Sequence, residues 1–115
     1  VQSGQGADEV FGGYHWYPKL SGSARPVDDY AAAFCDRDHA EMRAVLQDAH
    51  LGADATRAFI AERLTAPGAG DPVDQALRLD TTVMLVDDPV KRVDNMTMAF
   101  GLEARVPFLD HELVE

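Results

Sequence analysis

Two glycines two residues apart, with a serine before them and an acidic pair after, open the 115-residue chain: Ser3-Gly4-Gln5-Gly6-Ala7-Asp8-Glu9-Val10-Phe11-Gly12-Gly13-Tyr14. Gly4 and Gly6 can take positive φ and leave room for close approach to the backbone. A loop of this kind running into a helix leaves its first N–H groups unpaired and pointing outward, which suits an anion such as phosphate. Asp8 and Glu9 then fall in the first turn, where acidic side chains favour the helix dipole. Beside a bound phosphate the same carboxylates could hold Mg²⁺ through hard oxygen ligands. The string also reads as a plain structural turn, because Gly-rich turns before helices are common.

Other reactive side chains are sparse. Cys35 is the one cysteine, so no internal disulfide forms, which fits a reducing, cytoplasmic setting. In Tyr30-Ala31-Ala32-Ala33-Phe34-Cys35 it reads as a small buried hydrophobe rather than a nucleophile. His15 has no second ligand at metal spacing nearby, and His39 and His50 fall near helix ends as solvated residues. Tyr14-His15-Trp16-Tyr17 before Pro18 is an aromatic knot. It could stack on a flat ligand, but packing of a helix end onto the core is the commoner use. Asp80 lies in an apolar helical segment, where a carboxylate needs a partner or a function.

Composition narrows the classes. With 20 acidic against 10 basic residues the net charge is −10, which argues against a nucleic-acid surface and against docking on anionic membranes. No apolar run approaches the ~20 residues that span a bilayer. A hydrophobic share of 46% excludes a disordered chain. The length allows about one domain. The chain opens on Val1 in a functional-looking loop and stops at Glu115 in the opening of a helix. The expectation is a piece of a longer polypeptide, covering residues 1–115 of a partial domain.

The elements that must position these groups are helical. Residues 6–12 form a short helix stopped by Gly12-Gly13, and residues 21–26 a connector. Asp28-Asp29 caps a helix through Phe34. Asp38 opens another, with Met42, Val45 and Leu46 on one face, and Asp54 a third, running to about Leu64. Asp71-Pro72 starts a largely buried helix over Val73–Val86. Asp88-Pro89 repeats that start signal, with Val90, Val93, Thr97 and Phe100 along one stripe and Gly101 at the close. Leu102–Asp110 reads as extended, and Asp110-His111-Glu112 opens a last helix. No β alternation appears, so the isolated chain reads all-α.

Two separated stretches resemble one family. Ser3 to Tyr14 looks like the second ATP-site loop of asparagine synthetases. Arg92-Val93-Asp94-Asn95-Met96-Thr97-Met98-Ala99-Phe100-Gly101-Leu102-Glu103-Ala104-Arg105-Val106-Pro107-Phe108-Leu109-Asp110-His111 is similar to a later block of the same domain. Asp80, with Asp87-Asp88 beyond it, falls where that pattern has an aspartate. The resemblance implies the helical part of an α/β ATP-pyrophosphatase-type synthetase domain, within a glutamine-dependent amidotransferase. It implies ATP and Mg²⁺ as cofactors, a small carboxylate as substrate, and glutamine-derived ammonia as nitrogen source. Ser3, Gly4, Gln5 and Gly6 would line the nucleotide, Asp8 would hold Mg²⁺ and pyrophosphate, and Asp88 with Arg92 would face the substrate. Glu103 and Arg105 would brace the fold as an ion pair.

The sequence departs from the family at three points. Gln5 stands where these enzymes commonly carry Glu beside the reacting acyl group. As the catalytic candidate it cannot accept a proton as a carboxylate does. The wording around it, with His15-Trp16-Tyr17-Pro18, is similar to enzymes that amidate an N-acetylated glutamine dipeptide. The Ser-Gly-Gly-x-Asp-Ser pyrophosphate loop and the N-terminal cysteine are not in the sequence, and neither is the catalytic lysine expected past the Pro-Phe-Leu-Asp block. The isolated chain is therefore expected to form no amide. Two other readings stand beside this one: a helical protein-interaction module using the acidic surface, and an adenylating ligase like the beta-lactam-forming synthetases. Helices that rest on missing structure would expose apolar faces, so self-association is expected.

Overall fold

A computed structural model describes residues 1–115. Its helices are α1 (Ala7–Phe11), α2 (Tyr17–Leu20), α3 (Pro26–Phe34), α4 (Asp48–Leu51), α5 (Ala55–Leu64), α6 (Pro72–Leu79), α7 (Lys91–Met98) and α8 (His111–Val114). Short 3₁₀ turns cover Glu41–Ala44 and Pro107–Leu109. The chain is all-α, as its periodicity predicts, and its β structure is confined to one parallel bridge between Gln2 and Arg105. None of the helices is long and apolar enough to cross a membrane. The chain divides into two compact units: His15–Ala76, and Val1–Tyr14 together with Leu77–Glu115.

In the His15–Ala76 unit, Tyr17, Leu20, Tyr30, Ile60, Leu64 and Ala76 are buried. The aromatic knot is a packing device. The Trp16 ring meets Phe34 edge-on at 6.0 Å, and Tyr30 stacks on Phe34 at 5.4 Å, which ties α2 to α3. Helix α3 begins at Pro26, two residues before the acidic pair expected to cap it. Proline at N1 is preorganised for a helix start, and Asp28 and Asp29 serve the first turn instead. The Asp28 carboxylate accepts from Arg57 at 2.6 Å, joining α3 to α5. Asp54 caps α5 by accepting from the Arg57 N–H at 2.9 Å, as its position predicts.

The helix expected from Asp38 is not formed. Asp38 and Glu41 do make a reciprocal capping box, at 2.7 and 2.9 Å. A 3₁₀ turn follows it, then the four-residue α4. Val45 and Leu46 are largely exposed, so the stripe lacks the packing partner that would sustain a long helix. Cys35 ends α3, half-buried. Burial first, then the Asp54 and Asp36 charges, push its thiol above the ordinary range. The neutral thiol is a poor nucleophile. At pH 8 its alkylation by iodoacetamide is expected to run several-fold slower in the folded chain than in urea. Equal rates would show that the fold gives it no protection.

Still in the His15–Ala76 unit, Asp71 caps α6 by accepting from the N–H groups of Val73 and Asp74 at 2.8 and 3.0 Å, and the end of α6 from Leu77 onward belongs to the other unit. The helical path does not stop at Asp88-Pro89, where the sequence suggests a fresh start. Two wide turns, Asp80–Met84 and Val86–Val90, carry it into α7. In the first, the Leu85 N–H bonds to the Asp80 carbonyl, five residues back. A proline inside an α-helix lacks its donor and clashes with the carbonyl four residues back. The wider i→i+5 turn relieves that conflict, and Pro89 sits buried within the second turn. Gly101, at φ 66°, ends the helix as expected. Phe100, expected on the α7 stripe, falls beyond the last turn and is 83% exposed. The stretch expected to be extended is so only at its start, since Pro107 opens a 3₁₀ turn.

Candidate functional site

The glycine loop is built against the far end of the sequence. The Ser3 N–H donates to the Arg105 carbonyl at 2.9 Å, and the Arg105 N–H to Val1 at 2.8 Å. The Val1 amino group donates to the Glu103 carbonyl at 2.8 Å. Gly6 is buried at φ 94°, and a Cβ there would stand 2.6 Å from Leu109 Cδ2 and 3.3 Å from the Phe108 carbonyl. Phe11 and Phe108 meet edge-on at 6.0 Å. The two stretches singled out by sequence, some hundred residues apart, thus share one unit and touch. Helix α1 also packs on the wide turn Asp80–Met84.

Within the loop, Ser3 and Gln5 are half-buried and Gly4 is exposed. No atom lies within 4 Å of where a Gly4 Cβ would be, so its backbone is open to approach. Asp8, in the first turn of α1, is exposed, and its carboxylate rests over the bare Cα of Gly13. The Gly12 and Gly13 N–H groups both donate to the Asp8 carbonyl.

Glu9 is placed differently from the sequence expectation. It is 2% exposed and accepts from the Tyr14 hydroxyl at 2.7 Å, so it is spent on the fold and is withdrawn as a metal ligand. Burial, then the Glu9 hydrogen bond and the charges of Glu9, Asp8 and Asp80, push the Tyr14 hydroxyl well above the usual tyrosine range. The bond escapes a reading by helical spacing because it crosses the Gly12-Gly13 reversal. A glutamate five residues before a tyrosine, with a glycine pair between them, is the signal that could have found it. Asp80 is fully buried, and no buried side-chain N or O lacks a hydrogen-bond partner, which meets the demand its position makes.

The remaining site residues lie on the helical surface. Asp88 and Arg92 pair with each other at 2.7 Å as an i, i+4 couple, both well exposed. Glu103 and Arg105 stand 3.8 Å apart and are more exposed still, so the expected brace is a solvent-screened contact of at most ~1 kcal/mol. The bracing at this place comes from the backbone bonds of Arg105. No three His, Cys, Asp or Glu side chains gather as a metal cage. Asp8 is the exposed carboxylate in the first turn after the loop.

Comparison with known proteins agrees with the motif reading. The family described as "Asparagine synthase" matches residues 1–115. A protein of Mycobacterium bovis (strain ATCC BAA-935 / AF2122/97), named "Putative asparagine synthetase (glutamine-hydrolyzing)", is 30% identical over 149 residues. Proteins of the same name from two Mycobacterium tuberculosis strains, CDC 1551 / Oshkosh and ATCC 25618 / H37Rv, match equally. Each alignment takes in 98% of this chain and 22% of the relative, so the chain spans about a fifth of their length. No solved structure matches.

Proposed function

The chain belongs to the asparagine synthase family, and from that premise we propose that it forms part of an ATP-dependent, glutamine-dependent amidotransferase. The reaction proposed has two steps. A carboxylate oxygen of the substrate attacks the α-phosphorus of ATP, and pyrophosphate leaves with the bridging electron pair. Ammonia derived from glutamine then attacks the acyl carbon, AMP leaves, and an amide remains. The observation that carries this reading is the direct support of the Ser3–Gly6 loop by Arg105, Phe108 and Leu109.

In this reading the open backbone at Gly4 approaches the nucleotide, with Ser3, Gln5 and Gly6 beside it. Gln5 orients the acyl-adenylate by hydrogen bonding and takes no proton. Asp8 would hold Mg²⁺ beside the pyrophosphate. Mg²⁺, when bound, neutralises charge developing on the transferring phosphates. Asp88 and Arg92 exchange their mutual ion pair for contacts with the substrate, which costs little at an exposed pair.

The test is carboxylate-dependent exchange of labelled pyrophosphate into ATP by the full-length polypeptide. Exchange that appears only with particular acids is expected, and those acids name the substrate. A full-length protein that exchanges with no carboxylate, yet makes an amide from ATP and ammonia, would overturn the adenylation route. Amide formation by residues 1–115 alone would overturn the reading of the chain as a part.

A further inference from the structure

We propose that Gly13 and Tyr14 are positioning residues for Asp8: the bare Cα of Gly13 seats the Asp8 carboxylate, and the Tyr14–Glu9 bond holds that seat in place. The inference rests on the reading above, in which Asp8 holds Mg²⁺ beside the pyrophosphate.

The seat has no spare room. A Cβ on Gly13 would overlap Asp8 Oδ1 outright and stand 3.0 Å from its carboxylate carbon and 3.2 Å from its backbone Cα. Gly13 is not among the glycines at positive φ, so left-handed backbone is not what calls for glycine there. What keeps glycine there is Asp8 packed over it, with the carboxylate the nearest part. Gly12, at φ 68°, turns the chain back, and the N–H groups of Gly12 and Gly13 fasten that reversal to the Asp8 carbonyl. Immediately after Gly13, Tyr14 donates to the buried Glu9 carboxylate at 2.7 Å. Asp8 and Glu9 are neighbours on α1, while Gly13 and Tyr14 are neighbours on the returning segment. One pair anchors the reversal and the other uses it. An exposed carboxylate with free rotamers must be ordered each time it binds a cation. Here the ordering is supplied beforehand.

The full-length protein is tested by titrating Mg²⁺ at fixed pyrophosphate and reading the rise in thermal midpoint, a signal independent of turnover. Gly13→Ala is expected to need about tenfold more Mg²⁺ for the same half-rise, the size typical when a support of a metal-binding group is lost. Tyr14→Phe is expected to shift the Mg²⁺ midpoint in the same direction by less. In an Asp8→Asn background neither change should shift it further, whereas a merely structural role would lower the melting point without moving the Mg²⁺ midpoint. If Asp8→Asn moves the midpoint and both Gly13→Ala and Tyr14→Phe leave it in place, the seating inference is overturned and the role of Asp8 stands. If Asp8→Asn has no effect, the assignment of Asp8 to Mg²⁺ is overturned. Should Gly13→Ala fail to fold, Tyr14→Phe decides alone.

Discussion

Replacing Gly6 with alanine lowers the thermal midpoint by more than about 10 °C, the largest effect expected of a single methyl group in this chain. Two costs combine. At φ 94° an L side chain is strained, a cost of about 1–3 kcal/mol. The added Cβ also meets Leu109 Cδ2 at 2.6 Å and the Phe108 carbonyl at 3.3 Å. The leucine tip can give way, but the carbonyl belongs to the 3₁₀ turn, so the turn must move or the loop must. A total near 3 kcal/mol is a reasonable sum. Gly22→Ala is the matched control. Its φ of 71° is also positive, yet nothing lies within 4 Å of the new Cβ, so only the backbone cost of about 1 kcal/mol applies. Melting curves by circular dichroism separate the two. Equal losses would mean that contact with Leu109 and Phe108 contributes nothing at Gly6.

Tyr14→Phe carries the second large effect. It removes the donor from a glutamate that is 2% exposed, and leaving such an acceptor short costs about 1–3 kcal/mol. The loss depends on pH in a defined direction. The folded chain holds the Tyr14 proton at pH values where the unfolded chain, with tyrosine at its ordinary value of 10.0, has released it. Above pH 10 the folded state therefore binds more protons than the unfolded state, and stability falls as pH rises, by at most about 1.4 kcal/mol per unit. Below that point the contribution is fully present. Urea midpoints at pH 9 and pH 11 should fall more steeply for the native chain than for Tyr14→Phe. Parallel slopes would show that Tyr14 titrates normally.

Local signals in the sequence proved readable where a single side chain decides the outcome. Asp54, Asp71 and Asp110 cap the helices they were expected to cap, because an N-cap is settled by the nearest three residues. Gly12 and Gly101 stop their helices for a similarly local reason. The helix expected from Asp38 does not form because its apolar stripe has nothing to pack against, which neighbours in the sequence do not reveal. Pro89 is not the boundary its sequence suggests, because a widened turn can hold a proline. In the site, the two motif stretches were legible as residue strings, and their contact through Ser3 and Arg105 follows only from the fold. Asp8 stands exposed in the first turn after the loop, where its place in the sequence puts it. The neighbouring Glu9 has the same residue class and a different fate, fixed by a tyrosine on the far side of a reversal.

The wide turn at Asp80–Met84 gives this part of the chain one residue of slack. Such a turn holds one residue more than the α-helical turn it replaces, so deleting a residue from Thr81–Val83 would let ordinary helix form through it. The hydrogen bonding would improve, and Val90 and Val93 would keep facing the groove of about 520 Å³ that they line with Ala104 and Val106. Regular helix has no such reserve: each residue advances it by about 100°, so the same loss from Lys91 or Arg92 would swing Val93 around the axis and away from that groove. A single lost codon is absorbed at one place and turns everything beyond it a few residues later.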